Sequence, residues 1–188
     1  MKAIIFDCYG VLLGTGIWNV YRQLGGDPIK DADFIDDWIS KAHMPGSDPA
    51  AMKQIMADRL GVDTETYKEA SRKDQVLNRQ LFDFISTNLK SSYKLAMVSN
   101  ANSESLRRKI PEDKLSLFDV VLISEEVGLL KPDPRLFKLA LEQLGSLPEE
   151  TLFVDDHQEY LDGAKLVGIQ SLLYTSFEDF KQKVLNLI

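Results

Sequence analysis

The stretch Lys2-Ala3-Ile4-Ile5-Phe6-Asp7-Cys8-Tyr9-Gly10-Val11-Leu12 decides how this chain folds. An apolar run, Ala3 to Phe6, ends abruptly in a carboxylate, and a glycine turn follows. A short run that is apolar on both faces marks a parallel strand buried between two layers. Such a strand delivers Asp7 to its carboxyl end, the edge where open α/β sheets place their ligands. The same design returns in Thr151-Leu152-Phe153-Val154-Asp155-Asp156. Two chain-distant strands that both end in acids predict a carboxylate cluster, which needs a cation or a proton to hold it together.

Outward from this strand, further apolar runs have strand character at Lys94 to Val98, Asp119 to Ile123, Leu152 to Val154 and Gln170 to Tyr174. Helix-length amphipathic segments separate them, the pattern of βαβ units and a parallel sheet. The clearest helix follows Asp133-Pro134, with an N-cap Asp, a first-turn Pro and Gly145 beyond its end. Glu159 to Val167, closing at Gly168, is another. The exception is the long stretch between the first two strands, far more than a βα connection needs. Gly14-Thr15-Gly16 opens it as a glycine hinge, and helical patterns run through Ile17–Leu24, Asp31–Ala42, Asp48–Leu60 and Thr64–Asp74. Asn78 to Leu89 reads as the crossover helix that leads back to the sheet. The expected architecture is a doubly wound parallel α/β core, residues 1–13 and 78–188, with an inserted helical cap at 14–77 above the Asp7 end.

The totals narrow the function. A chain of 188 residues with 44% hydrophobic and 27% charged content is ordinary for a globular protein. A net charge of −7 argues against a nucleic-acid or anionic-membrane partner. No apolar run approaches the roughly 20 residues that span a bilayer. One cysteine rules out an internal disulfide and a cysteine-based zinc site. A cytoplasmic location is the expectation.

Polar groups follow directly after the strand-like runs: Asp7, Ser99-Asn100, Lys131 in Gly128-Leu129-Leu130-Lys131-Pro132-Asp133, and Asp155-Asp156. In a parallel sheet these share one edge, so they can converge although they are scattered in sequence. They offer a nucleophilic carboxylate, a hydroxyl and an amide, one cation and a metal-binding pair. That set suits phosphoryl transfer, which requires an in-line nucleophile and compensation of charge on the transferring oxygens.

With these residues the chain resembles the haloacid dehalogenase-like (HAD) hydrolase superfamily. Phe6-Asp7-Cys8-Tyr9-Gly10-Val11 resembles its nucleophile motif and Val98-Ser99-Asn100-Ala101 its second. Lys131-Pro132-Asp133-Pro134 resembles the lysine motif, and Val154-Asp155-Asp156 the acidic fourth, with Gly163-Ala164 and Gly168-Ile169 downstream. A helical cap inserted after the first motif is also a family trait. The resemblance implies that Asp7 attacks phosphorus and forms an aspartyl-phosphate. It implies that Asp7, the main-chain carbonyl of Tyr9, and Asp156 hold Mg²⁺, with Asp155 bound directly or through water. Ser99, Asn100 and the amides that follow would grip the phosphoryl oxygens of a small phosphorylated metabolite, and Lys131 would orient Asp7.

Tyr9 departs from the phosphatase pattern, which usually has a second Asp there to protonate the leaving group and activate water. A tyrosine hydroxyl, with an ordinary pKa of about 10, is a poor base near neutrality. Haloacid dehalogenases proper carry Tyr at this position and work without metal, so metal-independent 2-haloacid dehalogenation through Asp7 is the alternative. A weakly active member that only binds metal or a phosphorylated ligand is the other. The acidic pair argues for metal, and a scarcity of cap cations for a halide or carboxylate, with Arg22 and Arg59 the only arginines before Arg72, argues against dehalogenation. Several residues also have purely structural readings. Ser99 suits an N-cap for Ser103–Lys109, and Asp133 suits a helix cap. Cys8 suits a buried hydrophobe, and His43 and His157 structural or solvated positions. Trp18, Tyr21, Phe34 and Trp38 suit the cap core, with one or two of them facing a substrate.

Overall fold

The computed structural model describes residues 1–14, 16–74 and 76–187. Its sheet has five strands, β1 (Ala3–Phe6), β2 (Lys94–Ser99), β3 (Val120–Ile123), β4 (Thr151–Asp155) and β5 (Gln170–Leu173). All are parallel, in the order β3-β2-β1-β4-β5. The chain builds outward from β1 on one side and then restarts beside it on the other. The strand order therefore reverses at β1, where doubly wound sheets form their ligand crevice.

The first strand is buried at every position, as its composition requires. Ile4 and Phe6 belong to the core on one face of the sheet, and Ala3 and Ile5 to the core on the other. The first face is covered by α5 (Arg79–Phe84), which continues as a π-helical turn, Ile85–Leu89, and by α11 (Phe177–Val184). The opposite face packs against α9 (Pro134–Leu144) and α10 (Gln158–Lys165). Asp133 caps α9 by accepting the Arg135 amide, and Gly145 ends it in the left-handed region, both as the sequence predicts.

Between β1 and β2 lie α1 (Gly16–Gln23), α2 (Ala32–Ala42), α3 (Pro49–Leu60) and α4 (Thr64–Asp74), close to the predicted spans. They enclose a core of their own, including Val20, Tyr21, Ile35, Trp38 and Met56. The indole N–H of Trp38 donates to the Met52 carbonyl at 2.7 Å and ties α2 to α3. The chain leaves and re-enters the sheet domain at one place. The Gly14 amide donates to the Val76 carbonyl and the Asn78 amide to the Leu12 carbonyl, both at 2.9 Å.

Thr15 of the expected hinge lies outside the described residues. Gly14 is needed for close approach: a Cβ there would fall 1.9 Å from the Asp74 carbonyl oxygen. Short helices α6 (Ser103–Lys109), α7 (Glu112–Leu115) and α8 (Ser124–Val127) fill the connections around β3. The side chain that caps α6 is Asn102, which accepts the Ser105 amide. Ser99, the sequence candidate, ends β2 instead, because the chain runs past the sheet edge before the helix begins.

Candidate active site

Asp7 sits one residue beyond β1, and its amide donates to the Val154 carbonyl at 2.9 Å. This bond extends the β1–β4 ladder past the strand and fixes the carboxylate at the sheet edge. Lys131 arrives on the loop between α8 and α9. The Asn100 side chain holds that loop: its Nδ2 donates to the Lys131 carbonyl at 3.0 Å and its Oδ1 accepts the Lys131 amide at 2.8 Å. The ammonium so positioned donates to Asp7 Oδ1, and to Asp155 Oδ2 at 2.7 Å. Asp155 Oδ1 accepts the His157 amide at 2.8 Å. The Tyr160 ring lies against the same ammonium, 4.8 Å from its centroid, so the cation is held on an aromatic face.

Asp156 completes the cluster. One carboxylate oxygen from each of Asp7, Asp155 and Asp156 lies within 4.8 Å of the others. Gly10 makes room for the third acid. Its φ of +92° is in the region favouring glycine, and a Cβ there would lie 2.1 Å from Asp156 Oδ2. Gly10→Ala is therefore expected to displace Asp156 from the cluster and to lower the thermal midpoint, which differential scanning fluorimetry checks.

Three acids face one ammonium, and the titration behaviour reflects the deficit. Burial drives the Asp7 pKa well above the carboxylate range, with Asp155 and Asp156 adding to the effect and Lys131 opposing it. Burial also pushes Asp156 up to about 7, helped by Asp155. Burial pulls the Lys131 pKa down, yet the two carboxylates it touches outweigh that and hold it above its usual value. The site is thus poised to take up either protons or an additional cation.

Above the cluster lies a cavity of about 920 Å³, within the range of small-molecule sites. Asp7, Tyr9, Asn100, Lys131 and Asp156 line its floor. Ser99 is fully buried and does not line it. Of the four aromatics at helical spacing, Trp18 and Trp38 reach the wall, whereas Tyr21 and Phe34 stay in the core of the helical insert. Trp18 stacks on His157, with 4.9 Å between ring centroids, so that histidine faces the cavity and not bulk solvent. His43 also lines the wall, and burial pulls its pKa down to about 4.

The Tyr9 hydroxyl accepts a hydrogen bond from Lys109 Nζ at 3.0 Å, and burial raises its pKa above the usual tyrosine value. The expected scarcity of cations does not hold. Arg22 and Arg59 are absent from the wall, but Lys53, Lys68, Arg72, Arg108 and Lys109 line it. Counting arginines missed the lysines, and missed a second helix that turns toward the site. Asn102, Ser105, Arg108 and Lys109 sit at spacings that share one face of α6, the signal that could have found them.

A haloacid dehalogenase-like hydrolase family model matches residues 1–168. The chain belongs to the haloacid dehalogenase-like hydrolases. Phosphoserine phosphatase of Thermus thermophilus is 42% identical over 80 residues, 42% of this chain and 32% of that enzyme. (S)-2-haloacid dehalogenase 4A of Burkholderia cepacia is 35% identical over 86 residues, 45% of this chain and 37% of that enzyme. These matches span only about a third of either relative's length. The fold is similar to that of a HAD family enzyme of Bacteroides thetaiotaomicron solved as a magnesium complex, with a TM-score of 0.69 and 22% identity over 98% of both chains. Among the described residues, no helix is long and apolar enough to cross a membrane.

Proposed function

We propose that this hydrolase releases phosphate from a small phosphomonoester through an aspartyl-phosphate on Asp7. The observation that carries the reading is the charge deficit, three converging carboxylates with a single ammonium among them. The donor set fits Mg²⁺, which prefers hard oxygen ligands: the carboxylates of Asp7, Asp155 and Asp156, with the Tyr9 main-chain carbonyl. Bound there, the ion would neutralise the surplus carboxylate charge and polarise the phosphoryl oxygens. The close fit of Asp156 over Gly10 supports this assignment.

In the first step an Asp7 oxygen forms a bond to phosphorus while the ester P–O bond breaks. Lys131 keeps Asp7 oriented and offsets its charge. The leaving oxygen takes a proton from solvent, and water then attacks phosphorus, giving its proton to solvent, breaking the bond to Asp7 and releasing orthophosphate. Ser99 and Asn100 act indirectly in this scheme: Asn100 braces the Lys131 loop, and Ser99 is buried at the end of β2. Residues 14–77 act as a cap over the 1–13 and 78–188 core, supplying Trp18 and Trp38 to the cavity wall. A phosphorylated metabolite handled in the cytoplasm, with no nucleic-acid or membrane partner, completes the reading and accords with the net charge of −7.

Phosphate release from an aryl phosphate is expected with Mg²⁺ and is expected to vanish on chelation. Mg²⁺ should also raise the thermal midpoint, increasingly so as pH rises from about 4 to about 7. Folded Asp156 keeps its proton to about 7, whereas its ordinary value is 3.8. Its contribution to stability is therefore full below 3.8 and is lost as pH climbs through 7. The cation restores what deprotonation removes. A chelator-insensitive midpoint across that window would count against the metal site.

Tyr9 favours the second reading, metal-independent 2-haloacid dehalogenation, and the basic wall could take a haloacid carboxylate. Tyr9→Asp separates the two. A phosphatase should gain about 10²-fold in kcat from a positioned acid–base, whereas a dehalogenase should lose activity. A metal- or phospho-ligand-binding member without turnover would release no phosphate before the substitution.

A further inference from the structure

We infer that the substrate carries a second anionic group, a carboxylate or another phosphate, remote from the transferring phosphoryl, and that Lys53 and Lys109 bind it. This rests on the phosphatase reading and adds the substrate's chemical class. The cavity is polarised. Its floor holds Asp7 and Asp156, and the wall toward α3, α4 and α6 holds five cations.

Three of these cations already have a carboxylate partner. Lys68 and Arg72 pair with Glu65 at 3.5 and 2.6 Å, and Arg108 pairs with Glu104 at 3.5 Å. Among the described residues, Lys53 and Lys109 have no carboxylate within ion-pair distance. The acids on the wall are committed elsewhere: Asp48 accepts the Ala50 and Ala51 amides, and Glu104 faces Arg108.

Lys109 is only partly exposed, and its ammonium donates a hydrogen bond to the neutral Tyr9 hydroxyl. Lys53 and Arg108 stand near enough to repel its charge. In a chain of net charge −7, two unpaired ammonium groups converging from α3 and α6 on one cavity wall are a binding arrangement for an anion. Trp18, Trp38 and Tyr67 line the same cavity, so the part of the ligand joining its two charged ends is carbon-rich.

The test compares phosphate release from matched pairs, carboxyalkyl phosphates against alkyl phosphates of equal length, in wild type, Lys53→Gln and Lys109→Met. Lys53 is exposed and its variant should fold normally, while Met keeps most of the apolar stem of Lys109. Wild type should prefer the carboxylated member at least tenfold in kcat/KM, through KM, and less so at high salt. The ratio should fall toward unity in both variants. Equal kcat/KM for the two members in wild type, or an undiminished preference in both variants, overturns the inference.

Calorimetric titration with glutarate, which contains no phosphorus, reads the basic wall without turnover. Binding weakened about tenfold by Lys53→Gln and Lys109→Met, but not by Asp7→Asn, supports the site even if no ester is hydrolysed. In that event the phosphatase reading fails alone. No glutarate binding, or binding indifferent to both lysines, refutes the anion site itself.

Discussion

Asp7→Asn should lower phosphate release by about 10⁴-fold or more while leaving the protein folded. An amide cannot form the acyl-phosphate, and loss of a covalent nucleophile is among the most costly changes an active site can undergo. The fold should tolerate the change because Asp7 is strained electrostatically in the metal-free protein. Burial and two neighbouring carboxylates already disfavour its charge. Lys131 keeps Asp155 as a partner at 2.7 Å. A thermal midpoint equal to or above that of wild type without Mg²⁺, together with lost turnover, is the expected pair of results. Full phosphate release by the variant would place the chemistry elsewhere.

Lys131→Met should be the most destabilising single change at the site. Lys131 is 3% exposed and bridges two carboxylates, neither of which has another cation in contact among the described residues. Removing one partner from a buried ionic group leaves uncompensated charge, at a cost of about 3–5 kcal/mol. For a chain of this size that corresponds to a fall in thermal midpoint of roughly 10 °C. The loss should be smaller at acid pH, where Asp7, whose pKa burial already raises, can take up a proton instead. It should also be partly reversed by Mg²⁺, which supplies positive charge to the same carboxylates. Differential scanning fluorimetry at pH 5 and pH 8, with and without the ion, checks both trends.

Much of this site was legible before folding was considered. The run Ala3–Phe6, ended by Asp7 and a glycine turn, reads as a strand buried on both faces, and parallel strands bring their carboxyl ends to one edge. Pairing of the strands places Asp7, Asn100, Asp155 and Asp156 together, and Lys131 joins them on the loop that Asn100 holds. The Asp133 cap and the Gly145 stop were equally local, because each depends on backbone groups a few residues away.

Other features were not legible because they depend on which way a side chain leaves a packed helix. Ser99 and Asn100 are adjacent in sequence, yet one is fully buried while the other lines the cavity and braces the Lys131 loop. The aromatic spacing of Trp18, Tyr21, Phe34 and Trp38 identified an apolar core, but only packing of the insert turned Trp18 and Trp38 toward the cavity. The basic wall escaped notice for the same reason. Lys53 and Lys109 lie far apart in the chain, and nothing local says that α3 and α6 will bring them to the same wall of the cavity. The sequence by itself determined the sheet and the residues at its edge, since strand periodicity and chain direction suffice for that. Tertiary structure alone decided which cations and aromatics look down on Asp7, since that depends on how separately formed helices dock.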